Sequence, residues 1–494
     1  MGPKTSPFYI LAVVILACGG IPKGYDEGGF SASVTLPAFK ADYGLNKNLW
    51  VGNATGLANR TANISSFGVL GAAFGALIAY VLNDKVGRLW SYRLAILVWA
   101  SGILMQVFSS GIFGFLLFAR IWGGMVVSMY MVVLLSFLSL GFFINYGVSK
   151  HMAQSRSQWQ IVQAIPLIPV GFAFVSSFLI PESPRWLASR GRQEDCIAAL
   201  ARLRGLSPTD QALLAEHERT EMEANALIEM SKTSMPQIAK ECFMDSNLRS
   251  RFFLAVALHT VAQWTGGNGI TYYISDIFQY AGIKGSETSL ITSGAYGLVK
   301  LFITMIFAWG LIDKLGRRRC MLAGLCLQGI THIYMAVYFG AIGQGNQHAS
   351  DAAIASVFIY ATGWSIGLCT IPYIYGTEIF PTKARSFAYA TTMALHWFFQ
   401  FAVVRVTPVM LAALDKWGAY VFWAMICAIG MVVLGLWAPE TKGVPLERMH
   451  ELFDCSWYKC WGSKMEARTE YGESFDGKAD VKYVVEQRES NAHS

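Results

Sequence analysis

A few residues stand out by type and position. Lys300 lies in "AYGLVKLFITMIFAWGLIDKLGRRR" (295–319), with no other charge before Asp313. Arg120 sits inside "FARIWGG", and Asp26 and Glu27 inside "KGYDEGG". Gln263 and Asn268 flank a glycine cluster in "AQWTGGNGITYY" (262–273), with Trp264, Tyr272 and Tyr273 nearby as aromatic walls. A charge among apolar residues is costly and faces a cavity, an opposite charge or a ligand. A buried lysine must find an anion or give up its proton. Amides donate and accept hydrogen bonds, which suits a polyhydroxylated ligand. Gly266, Gly267 and Gly269 spoil a helix and free backbone groups for the same purpose, although small residues also serve plain helix packing. This is equipment for binding a polar solute. No nucleophile–base set, metal cluster or phosphate loop accompanies it, so neither an enzyme nor a cofactor is expected.

The elements that hold these residues must be membrane helices. Of 494 residues, 54% are hydrophobic and only 14% charged, against about a quarter charged in soluble proteins. A net charge of +7 without a basic cluster gives no nucleic-acid patch. The nine cysteines show no disulfide or metal spacing and read as small core residues. Apolar runs long enough to span a bilayer fall near 8–36 (interrupted), 64–82, 92–110, 112–147, 158–180, 251–280, 288–312, 319–343, 354–379, 387–411 and 418–438. The first reads as an uncleaved helix rather than a signal peptide. The expected organisation is a bundle over 1–180, a charged helical linker over 181–250, a second bundle over 251–438 and a tail over 439–494, disordered from Leu452. The basic stretches at 84–93, 181–250, 313–319 and 381–385 point to the cytoplasm, which puts both termini inside. The outer loop 37–62 then carries sequons at Asn53, Asn59 and, at its border, Asn63.

The halves share punctuation. Asp84-Lys85-Val86-Gly87-Arg88 answers Asp313-Lys314-Leu315-Gly316-Arg317, and Pro181-Glu182-Ser183 answers Pro439-Glu440-Thr441. Two matches in the same order indicate a duplicated six-span unit. The spacing is unequal: 97 residues from Asp84 to Pro181, 126 from Asp313 to Pro439, a shortfall of 29. The run 112–147 is awkward too. One helix there gives the wrong parity, and two have no polar turn between them. A segment between Arg120 and Asn145, in the fourth-to-fifth span region, is expected to be missing.

Together "DKVGR", "PESPRWL", "DKLGRR", "PYIYGTEIFPTKAR" and "PETKGVPLE" resemble the signatures of the sugar porter family of the major facilitator superfamily, over about 24–452. "FFINYGV", "QAIPLIPVG", "YGLVK" and "RVTP" are similar to fungal quinate permeases and sugar-acid carriers. The resemblance implies an all-α membrane protein with the major facilitator fold, two six-helix bundles and nominally twelve spans. It also implies a conformational switch among Asp84, Arg88, Glu182, Arg185, Asp313, Arg317, Glu378, Arg385 and Glu440, locking the halves in the outward-open state. Gln263 and Asn268, with Tyr373 and Trp397, match the family's substrate contacts. In proton-coupled relatives Asp26 and Arg120 match a proton switch, with Glu27 as a competitor; in a uniporter they would be a structural pair. The chain departs from the pattern at Ala262, at His396 and at Leu135, where the family's fifth-span Gln has no clear match. Sugar porters for neutral sugars usually have Asn near the place of Lys300.

Lys300 precedes Asp313 by 13 residues, about 20 Å up a helix and past the midplane of a hydrocarbon core about 30 Å thick. A cation there points to an acidic cargo. The expected function is alternating-access transport of quinate or a sugar acid with a proton, across the plasma membrane. A neutral hexose or pentose porter is the alternative. A sensor, or an inactive product of the missing segment, is a further one.

Overall fold

The computed structural model describes residues 6–125, 131–231, 235–343, 345–454 and 457–462. No strand occurs among them. Among the described residues the main helical segments are α1 (Pro7–Ser33), α2 (Ala54–Val86), α3 (Arg88–Val107), α4 (Phe113–Gly124), α5 (Met131–His151), α6 (Arg156–Leu179), α7 (three pieces, Ser246–Trp264, Gly267–Tyr272 and Ile274–Tyr280), α8 (Ser286–Leu315), α9 (Arg317–Ile342), α10 (Gln347–Glu378), α11 (Thr382–Ala413) and α12 (Trp417–Trp437). Nine of the described helices are long and apolar enough to cross a bilayer. α3 opens on Arg88 and Arg93, α4 is short, and α7 is broken. Helices over Pro184–Ser189, Gln193–Arg204, Gln211–Ser231 and Met235–Met244 connect the halves.

The second helix of one half packs along the fifth of the other: α2 on α11, and α5 on α8. A duplicated unit related by a two-fold axis makes just this pair of contacts. α1 meets α5 through glycines. A Cβ on Gly24 would stand 2.0 Å from the Leu134 carbonyl oxygen, and one on Gly28 1.9 Å from that of Leu138. Only hydrogen fits there, as in other membrane helices that approach through small residues.

The repeat holds at atomic detail. Gly87 and Gly316 have φ of +107° and +93°, conformations that favour glycine. The Glu182 carboxylate accepts the Leu89 N–H (3.0 Å), and Glu440 accepts those of Arg317 (2.8 Å) and Arg318 (3.2 Å). Each glutamate satisfies the free N–H groups at the start of the helix after its loop. We call the face that carries these loops the basic end.

Two features differ from the sequence expectation. "KGYDEGG" does not interrupt α1. The chain stays helical and widens into a π turn over Asp26–Phe30, a device common at functional sites. The tail is also ordered beyond Leu452: Trp457–Gly462 forms a helical turn, and Trp457 packs on Trp437 with ring centroids 5.7 Å apart. The apolar run 112–147 becomes two helices, α4 and α5, and residues 126–130 between them lie outside the described set. α4 has 12 residues, about 18 Å of helix. From its end toward the basic end lies a cavity of about 860 Å³ between α1, α2 and α3, lined by Leu16, Gly75, Ile78, Ile96, Trp122 and Met125 among others.

Candidate functional site

The charged residues of α1 and α4 meet at the centre of the first half. Arg120 pairs with Asp26 through Nη1 and Oδ1. Its Nε donates to the Ile64 carbonyl (3.1 Å), its Nη2 to that of Ser65 (3.1 Å), and its guanidinium lies over the Phe30 ring. A Cβ on Gly68 would come within 2.8 Å of Nη2, so α2 supplies both the acceptors and the space. The two residues the sequence singled out, 94 positions apart, form one pair, with Arg120 buried and Asp26 partly so.

Asp26 also reaches the second half. The Tyr272 hydroxyl donates to Asp26 Oδ2 (2.6 Å) and accepts from Lys23 Nζ (3.1 Å). Lys23 pairs with Glu27 (3.1 Å), one helical turn on, and lies 5.1 Å from the Trp397 ring centroid. Gln400 Nε2 donates to Glu27 Oε1 (3.3 Å). Tyr272 is thus a bridge rather than the wall it was expected to be. Tyr273 donates to the Val404 carbonyl (3.1 Å) and packs between the halves, outside the lining of the central cavity. Trp264 stacks edge-on against Phe422.

The broken α7 carries a second network. Asn268 Nδ2 donates to Gln263 Oε1 (3.1 Å), and Gln263 Nε2 lies 3.1 Å from His396 Nε2. Tyr373 Oη is 2.8 Å from His396 Nε2, and His396 Nδ1 is 3.0 Å from His259 Nδ1. Lys300 is buried and donates to the Thr271 hydroxyl (3.1 Å), with Tyr296 and Trp364 ring centroids 5.6 and 5.9 Å away. No carboxylate pairs with it among the described residues. Lys23, Glu27, Leu135, Asn268, Lys300, Trp364, Tyr373, Trp397 and Gln400 surround one central cavity of about 30 Å³, room for a water or two. A larger solute needs the halves to part. Sequence reasoning missed Lys23, which looks like the end of an interrupted span, and Gln400 and His259, which carry no motif.

The switch residues sit at the basic end. Arg317 pairs with Glu378 (3.1 Å) and Asp313 (3.0 Å), and Thr441 donates to Glu378 (2.8 Å). Arg385 donates to the Phe380 carbonyl (3.1 Å), Arg88 is exposed, and Arg185 opens the helix Pro184–Ser189. The side chain of Asp84 lies outside the described residues. Each contact named here stays within one half. At the opposite end the halves touch: Arg405 Nη1 donates to Asn59 Oδ1 (3.0 Å). Arg405 is thus a cross-half contact, and Asn59 is occupied as its acceptor. Asn53 is exposed and caps α2.

The profile of the family described as "Sugar (and other) transporter" matches residues 12–139 and 124–453. The chain belongs to this family, the sugar porters of the major facilitator superfamily. Its relatives include the quinate permease of Neurospora terricola, 30% identical over 473 residues that cover 87% of this chain and 86% of that one. Another is the probable quinate permease of Aspergillus niger, 30% identical over 477 residues, covering 87% and 85%. The fold is that of the proton:xylose symporter XylE bound to 6-bromo-6-deoxy-D-glucose, with a TM-score of 0.72, 19% identity, and coverage of 91% of this chain and all of that one. Inward-open XylE from E. coli gives 0.71 at 17% identity, covering 90% and 100%. As a sugar porter, this is a multi-pass membrane transporter and not an enzyme. The profile match breaks into two pieces that overlap at 124–139, where α4 stops and α5 begins.

Proposed function

We propose that this sugar porter carries quinate or a related sugar acid by alternating access, together with a proton, across the plasma membrane with both termini cytoplasmic. Lys300 carries the reading. It is a buried ammonium at a central cavity, held by a hydroxyl and two aromatic rings and by no described carboxylate. A charge taken out of water needs a counter-ion, and a carboxylated cargo supplies one. The quinate permeases among the relatives support the same choice. Gln263, Asn268 and Gln400 offer amides for ring hydroxyls, and Trp397 and Tyr373 the flat walls.

Asp26 and Arg120 are the proposed proton switch. Protonating Asp26 dissolves the pair and frees Arg120, and Tyr272 connects that event to Lys23 at the cavity. Arg88, Glu182, Arg317, Glu378, Arg385 and Glu440, with Asp84, Arg185 and Asp313, form the proposed lock at the basic end when the other end opens.

The test is uptake of radiolabelled quinate by transport-null cells expressing wild type or Lys300→Asn. Removing one partner of a buried ion pair costs roughly 3 kcal/mol, so uptake should fall by about a hundredfold. Unchanged uptake in the variant would sink the acid-cargo reading. A neutral hexose or pentose porter is the second reading, favoured by the amides of Asn268 and Gln400 at the cavity and of Gln263 behind Asn268. Neutral sugars would then displace quinate.

A further inference from the structure

The charged side chains at the central cavity are Lys23, Lys300 and Glu27. We propose that Glu27 sets the charge of the cargo: by neutralising Lys23 it leaves one uncompensated cation, Lys300, and so fits the site to a singly charged acid rather than a neutral sugar or a dicarboxylate. This rests on the acid-cargo reading above.

The geometry supports the count. Lys23 and Glu27 are both buried and 3.1 Å apart on successive turns of α1. Both are held from the second half, Lys23 at the Tyr272 hydroxyl and Glu27 by Gln400. The Asp26–Arg120 pair is neutral as a unit until its proton binds, and it lies beyond Tyr272, outside the lining of the cavity. Cys369 and Tyr373 also line the cavity, and neither type ordinarily carries charge in the neutral range. Lys23, Glu27 and Lys300 therefore sum to one positive charge. Charges enclosed away from water must balance closely. A monocarboxylate brings the sum to zero. A dicarboxylate leaves a buried anion beside Glu27, and a neutral sugar leaves Lys300 bare.

Glucose, gluconate and glucarate share a six-carbon polyol chain and carry zero, one and two negative charges, so uptake and competition with these three read the count directly. Wild type should prefer gluconate. Glu27→Gln removes the internal counter-charge, and the glucarate-to-gluconate ratio should rise by about tenfold or more, since a like-charge contact is relieved. The double variant Lys23→Gln/Glu27→Gln restores a single positive charge and should return the preference to gluconate, which a merely structural role for the pair would not do. A normal surface level with no shift in Glu27→Gln would overturn the proposal. If that single variant does not fold, the double variant and wild type decide: a double variant that prefers glucarate, or a wild type that accepts glucarate as readily as gluconate, overturns it. Wild type that carries glucose and responds to neither acid overturns the acid-cargo reading as well. Acid uptake without the charge ranking removes this inference alone.

Discussion

Lys300 draws its meaning from what surrounds it. A hydroxyl and two rings steady the ammonium but do not balance its charge. The sequence made this residue visible because a cation in an apolar run is rare, and Asp26 and Arg120 were visible for the same reason. Lys23 was hidden because a lysine before "GYD" reads as the end of a broken span, whereas α1 continues through it. The role of Tyr272 was hidden because a bridging hydroxyl depends on two distant helices, α1 and α7, that the sequence cannot place together. Outside the membrane segments, Asp42 is tied to Arg156 (3.0 Å) and to the Trp159 indole N–H (2.8 Å). Burial works to raise its carboxyl pKa, but the two hydrogen bonds and the Arg156 charge outweigh it and hold the value below the ordinary 3.8. A depressed pKa gives stability that is present above the ordinary value and lost as pH falls through the folded one. Thermal midpoints of purified protein should therefore drop below about pH 4, and drop less in Asp42→Asn. Equal slopes for the two proteins would exclude this contribution.

At the scale of elements, the repeat was legible because its punctuation is chemical. A positive-φ glycine beside a capping glutamate needs those residue types at those places, in both halves. The π turn in α1 was not legible, since "DEGG" breaks or widens a helix equally well on sequence alone. The 29-residue difference in spacing is the ground for expecting a missing segment, and three observations bear on it. α4 ends after 12 residues, a cavity of about 860 Å³ lies where a longer helix would continue, and the family profile splits at 124–139. We read these as loss of the basic-end half of the fourth span, the turn after it and the start of the fifth. Sequencing the transcript across codons 120–150 should reveal an isoform longer by about 29 codons, enough to supply the absent turns at about 1.5 Å per residue. Transcripts that all match the present chain would contradict that reading.

At the scale of the molecule, the signature motifs made the family legible before any coordinates, because they are dense and ordered along the chain. The way the halves meet was not legible: which helices cross the interface depends on packing at a distance. α2 against α11 and α5 against α8 close over a cavity too small for any sugar, with Arg405 on Asn59 at the end away from the basic loops. Rocking about those two contacts would widen the site from either face. The proposed cargo is an acid drawn in with a proton. The direct measurement is accumulation of labelled quinate in transport-null cells under an inward proton gradient, with and without a protonophore and excess xylose. We predict accumulation above the external level that collapses with the protonophore and survives the xylose. Entry of xylose with no accumulation of quinate would contradict the account.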